Sequence, residues 1–135
     1  MIYEFCAENV TLLEKAMQAG ARRIELCDNL AVGGTTPSYG VTKAAVELAA
    51  NYDTTIMTMI RPRGGDFVYN DLEIAIMLED IRLTAQAGTQ GVVFGALTAD
   101  KKLDKANLEK LIAASKGMEI VFHMAFDELS DEDQL

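Results

Sequence analysis

Short β-rich apolar runs alternate with longer amphipathic runs along most of the chain. The first short run, Ile2–Cys6, predicts a strand. Asn9 then offers an N-cap for a helix over Val10–Ala19, with Leu12, Leu13 and Ala16 on its inner face. Gly20 stands where a C′ glycine ends a helix. Arg22–Cys27 predicts the second strand. The loop Asp28–Ser38 follows it, then a helix to about Asn51 and a third strand over Thr54–Ile60. After the loop Arg61–Tyr69, Asn70 and Glu73 form an N-x-x-E capping pattern for a helix that runs to Ala87 and stops at Gly88. Gly91–Phe94 predicts the fourth strand. Asp104 caps a helix over about Lys105–Lys116, closed by Gly117, and Glu119–His123 predicts the fifth strand.

Alternation of strand and helix implies a parallel sheet covered by helices. An open doubly wound sheet and a TIM (β/α)8 barrel both have this order. Side-chain alternation favours the barrel. One face of strand two carries Ile24 and Leu26, and the other carries Glu25 and Cys27. Glu4 falls with Cys6, Met57 and Met59 lead into Arg61, and Val121 falls with His123. A partly polar face fits the mouth of a small barrel better than an open sheet, where helices would cover it. The units recur roughly every 20–36 residues, so eight would need on the order of 230, near the usual barrel size. Ser130-Asp131-Glu132-Asp133 reads as a helix start, with a Ser cap and acids in the first turn. The alternative for this stretch is an acidic tail. The chain, 135 residues as one domain, is therefore expected to be the first five-eighths of a truncated barrel.

Composition narrows the partners. A net charge of −9 opposes nonspecific binding to nucleic acid or anionic membranes. No apolar stretch has the length of a transmembrane helix, and the N-terminal residues do not form a signal peptide, so a cytoplasmic location is expected. Cys6 and Cys27 belong to no C-x-x-C pair, and a reducing cytosol would keep them as thiols. P-loop, G-x-S-x-G, H-E-x-x-H and G-x-G-x-x-G motifs do not occur.

The chemistry-bearing residues gather where strands end, the side on which parallel α/β proteins build their sites. Arg61 and Arg63, beside Gly64-Gly65 and Asp66, have the donors to clamp a phosphate or carboxylate. Alternatively they pair with Glu25, Asp66 or Glu8 as a structural loop. His123, the single histidine, is a candidate general base or metal ligand that Asp127 could orient; otherwise it is simply hydrogen-bonded in place. Cys6 and Cys27 end neighbouring strands, about 4.8 Å apart in the sheet. Two thiolates there, helped by a Met thioether or His123, would suit Cu(I). The alternative is two small buried hydrophobes. Met57 and Met59 read as core.

In combination, several segments resemble the CutC copper homeostasis family. They are Glu25-Leu26-Cys27, Leu30 to Ser38, Met59 to Phe67, Gly91 to Gly95 and Phe122 to Asp127, in family order along nearly the whole chain. The resemblance implies a (β/α)8 barrel, a cytoplasmic location and a role in copper homeostasis. It also implies that Glu25, Cys27, Arg61, Arg63, Asp66, His123 and Asp127 line one pocket. Many members have Arg where this chain has Met124, and the last three strand–helix units of the family barrel have no counterpart here. Open edges at strands one and five would invite pairing, so the chain by itself is expected to be unstable or to form a homo-oligomer. Two functions remain open. In one, Cys27, with Cys6, binds Cu(I). In the other, an enzyme acts on a small phosphorylated or carboxylated metabolite held by Arg61, Arg63 and Asp66, with Glu25, His123 and Asp127 as catalytic residues.

Overall fold

The computed structural model of the chain describes residues 4–122. The expectations placed on His123, on Asp127 and on a helix start at Ser130 lie outside the described residues. Five strands alternate with four α-helices: β1 Glu4–Glu8, α1 Leu13–Gln18, β2 Arg23–Cys27, α2 Tyr39–Ala49, β3 Thr55–Met59, α3 Asp71–Ala87, β4 Gly91–Phe94, α4 Lys105–Ala114 and β5 Glu119–Phe122. A 3-10 turn, Leu30–Val32, interrupts the loop after β2. The strands form one sheet in the order β1-β2-β3-β4-β5, every pair parallel. A doubly wound sheet would reverse its order at a switch point. Consecutive order throughout is the progression of a (β/α) barrel.

The two faces of the sheet have different cores. On one face Ala7, Ile24, Leu26 and Ile56 pack with Leu13, Ala16 and Met17 of α1 and Ala45 and Ala49 of α2. Further along the same face Val92, Phe94 and Ile60 pack with Ile74, Met77 and Ile81 of α3 and Leu108 and Leu111 of α4. Complete burial of each Leu, Ile or Met in these layers contributes roughly 1.5–3 kcal/mol. On the opposite face Cys27, Met57, Met59 and Val93 form a small cluster of their own, joined by Val121. Alternation of side chains along each strand thus separates an apolar helix-side layer from an interior layer rich in sulfur and charge.

The helices start as their caps dictate. Asn70 and Glu73 exchange side-chain and backbone hydrogen bonds in a full capping box on α3. Ser38 Oγ accepts from Val41 N at 3.1 Å on α2, and Asp104 accepts from Asn107 N at 3.3 Å on α4. Helix α1 departs from expectation. Asn9 does not cap it, and the helix begins only at Leu13. Asn9 and Leu12 both take left-handed backbone conformations, φ 57° and 60°, so the segment between them winds as a turn. The Asn9 amide donates to Cys27 O at 2.9 Å, which ties this turn to the end of β2. Leu12 consequently lies outside the helix and is 58% exposed instead of facing inward. Strand β1 also runs two residues beyond its predicted end, which brings Glu8 into the sheet.

Candidate functional site

The interior face is organised by register. Cys6 pairs with Glu25 across β1 and β2, Glu25 with Met57, Met57 with Gly91 and Gly91 with Glu119. One row across the sheet therefore carries a thiol, a carboxylate, a thioether, a bare backbone position and a second carboxylate. Gly91 has no alternative: a Cβ there would collide with the Met57 side chain and the Glu119 carbonyl. Met57 lies over that glycine and is wholly buried.

The same register corrects the spacing expected of the cysteines. Cys6 stands opposite Glu25, and Cys27 stands opposite Glu8. The two thiols are diagonal neighbours rather than a directly facing pair, because β1 continues past Cys6. They still open onto one hollow of about 210 Å³, lined by Cys6, Glu25, Cys27, Leu30, Gly33, Met59, Val93, Val121 and Phe122. Cys27, Met59 and Phe122 are the last residues of their strands, and Leu30 and Gly33 belong to the loop after β2. The hollow thus lies at the C-terminal strand ends, the side that carries function in parallel barrels.

Neither cysteine forms a disulfide. Cys6 Sγ donates to Glu25 Oε2 at 3.7 Å, and Cys27 Sγ donates to Ala7 O at 3.6 Å. Burial first, then the nearby Cys6, Glu8, Asp28 and Glu25, push the Cys27 thiol up to about 11. A cation placed among these groups would meet negative charge on several sides. Soft sulfur donors favour Cu(I) over harder ions. Among the described residues, no three His, Cys, Asp or Glu side chains converge as a metal cluster.

The arginines take a different position. Arg61 is 3% exposed. Its Nη1 donates to Val32 O at 2.6 Å and Gly34 O at 3.0 Å, and its Nη2 donates to Gly65 O at 2.8 Å. The guanidinium also stacks 4.8 Å from the Phe67 ring centroid. It locks the loop after β2 to the loop after β3. Thr36 completes that lock, accepting from Arg61 N at 2.8 Å and donating to Arg61 O at 3.1 Å. Arg63 lies farther out and pairs with Glu73 through its Nε and with Asp66 Oδ1 at 3.0 Å. It donates as well to Val68 O at 2.7 Å. Hydrogen bonds from Arg63 and the Asn70 amide hold the Glu73 carboxyl below its ordinary value, and those from the Val68 amide and Arg63 do the same for Asp66.

Of the predicted site residues, the structure brings Cys6, Glu25 and Cys27 together at the hollow and groups Arg61, Arg63 and Asp66 in the adjoining loop layer. Arg61, Arg63 and Asp66 do not line the hollow. Of the partners considered for the arginines, Asp66 is one, but Glu25 and Glu8 are not: Glu25 accepts from Cys6, and Glu8 accepts from Leu30 N at 2.9 Å. The spacing of Glu73 signals only its capping role, so its pairing with Arg63 is not legible in the sequence. Met59 belongs to the core and also faces the hollow, which its place at the end of β3 signals.

A parallel sheet in consecutive order, helices on one face and a sulfur- and carboxylate-lined hollow at the C-terminal strand ends of the other, define a (β/α)-barrel protein. The sequence profile of the CutC family matches residues 1–135, and the chain belongs to that family. CutC family proteins of Enterococcus faecalis and Streptococcus pyogenes are each 54% identical to it over 134 residues, 99% of this chain and 64% of theirs. One from Vibrio vulnificus is 47% identical over 130 residues, 95% of this chain and 51% of its own length. The chain therefore spans between half and two thirds of these relatives. A crystal structure of a candidate copper homeostasis protein CutC from Streptococcus agalactiae superposes with a TM-score of 0.94 at 49% identity, covering 99% of this chain and 64% of that one. An O-GlcNAc hydrolase from Thermobaculum terrenum shares the fold alone, with a TM-score of 0.54 at 10% identity over 90% of this chain and 34% of its own.

Proposed function

We propose that this chain serves copper homeostasis in the cytoplasm by holding Cu(I) as cargo at the hollow, through Cys27 and Cys6 with Glu25 beside them. The observation that carries this reading is the composition of that one hollow. Both thiols and a carboxylate line it, and no Lys or Arg is among its described lining residues. Thiol donors suit Cu(I), and surrounding acids favour any cation. Support also comes from the family name and from the description of the Streptococcus agalactiae protein. The alternative, a small anionic metabolite at Arg61 and Arg63, draws no support from their geometry. The Nη donors of Arg61 are directed at the Val32, Gly34 and Gly65 carbonyls, its Nε is buried within the loops, and Arg63 is directed at Asp66 and Glu73.

An anaerobic Cu(I) competition titration against a chromophoric chelator tests the reading. The chain and its Cys6→Ser, Cys27→Ser double variant are compared, with circular dichroism as the check on folding. Tight binding of one equivalent, lost in the folded double variant, is the expected result. Equal binding by both sinks the proposal and returns attention to an enzymatic role for Glu25, His123 and Asp127.

A further inference from the structure

We infer that the Met59 thioether is a third sulfur ligand, completing with Cys6 and Cys27 a site for a soft monovalent cation such as Cu(I) or Ag(I). The inference rests on the Cu(I) reading above and names a donor that reading does not contain.

Three observations support it. First, Met59 lines the same hollow as Cys6 and Cys27, from the end of the neighbouring strand β3. Second, the Met59 and Cys27 side chains converge. A methyl group placed on Gly34 would stand 3.4 Å from Cys27 Sγ and 3.4 Å from Met59 Cε at once. The loop after β2 keeps that point clear, since Gly34 has a φ of +98° and carries no side chain. Third, the two methionines of β3 have different surroundings. Met57 is sealed over Gly91 at 0% exposure, whereas Met59 retains 7% and reaches the hollow. Filling space explains Met57 fully. A branched aliphatic residue would fill the Met59 position as well, but would bring no lone pair to the thiols.

Charge also favours a thioether at this place. Glu8, Glu25 and Asp28 already surround Cys27. A third anionic ligand would add to their mutual repulsion. A neutral sulfur adds a coordinate bond and no charge, and it matches the softness of the cation. On binding, each cysteine gives its S–H proton to solvent and its thiolate to the metal, while Met59 contributes a lone pair and loses nothing.

The test uses the full chain labelled at its methionine methyl carbons, titrated with Ag(I) as a redox-stable probe. Met57→Leu and Met59→Leu assign the two resonances, and both variants are then titrated anaerobically with Cu(I). The Met59 methyl signal is expected to move with the first equivalent of Ag(I) by more than that of Met57. Met59→Leu is expected to weaken Cu(I) binding at least about tenfold, against at most about twofold for Met57→Leu. If Ag(I) binds through the cysteines while the Met59 methyl stays still and Met59→Leu binds Cu(I) like the parent, the third ligand is refuted and the two-cysteine reading stands. If the chain and its Cys6→Ser, Cys27→Ser variant bind alike, the copper reading fails and this inference fails with it.

Discussion

Arg23 on β2 and Glu119 on β5 form an ion pair, Nη1 to Oε1 at 3.0 Å, although β3 and β4 lie between their strands. The row containing Glu25 runs through Met57 and Gly91 to Glu119, so Arg23, two residues before Glu25, reaches the pair from the row below. On a flat sheet three strand spacings would separate the two by roughly 14 Å. Side chains close that gap only because the sheet curls toward its interior face. The pair thus records the curvature and stagger of a barrel wall.

The energy of this pair should be modest, because Glu119 is 53% exposed at its side chain. A double-mutant cycle of Arg23→Met and Glu119→Gln, followed by urea unfolding, is expected to give a coupling of about 0.5–1 kcal/mol that weakens with salt. A coupling indistinguishable from zero at low salt would mean that the two groups do not meet in solution.

Gly91→Ala should damage the interior. The added Cβ meets the Met57 side chain, which is flexible, and the Glu119 carbonyl, which is not. A loss of about 1–3 kcal/mol is expected by urea unfolding. A Gly91→Ala, Met57→Ala double variant should remain less stable than Met57→Ala alone, because the carbonyl clash persists when the side chain is shortened.

Arg61→Lys should be more disruptive than its conservative appearance suggests. An ammonium cannot present the fixed fork that reaches Val32, Gly34 and Gly65 together. Loss of two of these charge-assisted hydrogen bonds is expected to cost about 3 kcal/mol. Amide hydrogen exchange should also quicken in the loop around Gly34 and Gly65. If the variant unfolds like the parent and instead loses affinity for phosphate, Arg61 serves a ligand and not the loops.

Two carboxyls should respond to pH with opposite signs. Arg63 and the Asn70 amide hold Glu73 below its ordinary 4.5. Its contribution is therefore complete above that value and disappears as pH falls through the depressed folded value. Burial, with Glu79 adjacent, holds Asp80 above its ordinary 3.8. Its ionised form costs stability at neutral pH, and that cost disappears as pH falls through the raised folded value toward 3.8. Urea midpoints from pH 7 to pH 3 should show Glu73→Gln less stable than the parent at pH 7, with the gap closing in acid. Asp80→Asn should be more stable at pH 7, with its advantage closing in acid. The same sign for both variants would contradict these environments.

Much of the fold was legible because its signals are local. The Asn70–Glu73 capping box, Asp104 as a cap, and the glycines after α1 and α3 act within one turn of backbone, so their spacing alone places those helix ends. Alternation of Ile24 and Leu26 with Glu25 and Cys27 likewise separates the two faces of β2. The start of α1 was not legible, because Asn9 is held by a hydrogen bond to Cys27 O on another strand.

The site depended more heavily on tertiary structure. Local pattern brought Cys6, Glu25 and Cys27 to the interior face, since a strand turns successive side chains to opposite sides. Register made Cys6 the partner of Glu25, and that register follows from the cross-strand hydrogen bonds of β1 and β2. Where Arg61 spends its donors was equally beyond the sequence. Its acceptors are backbone carbonyls at Val32, Gly34 and Gly65, and every residue type has one. Composition and spacing thus determined which chemistry the chain carries and on which face of each strand it lies. Only the packing of two loops and the stagger of five strands decided which of those groups meet, because those distances are set by contacts between residues far apart in the chain.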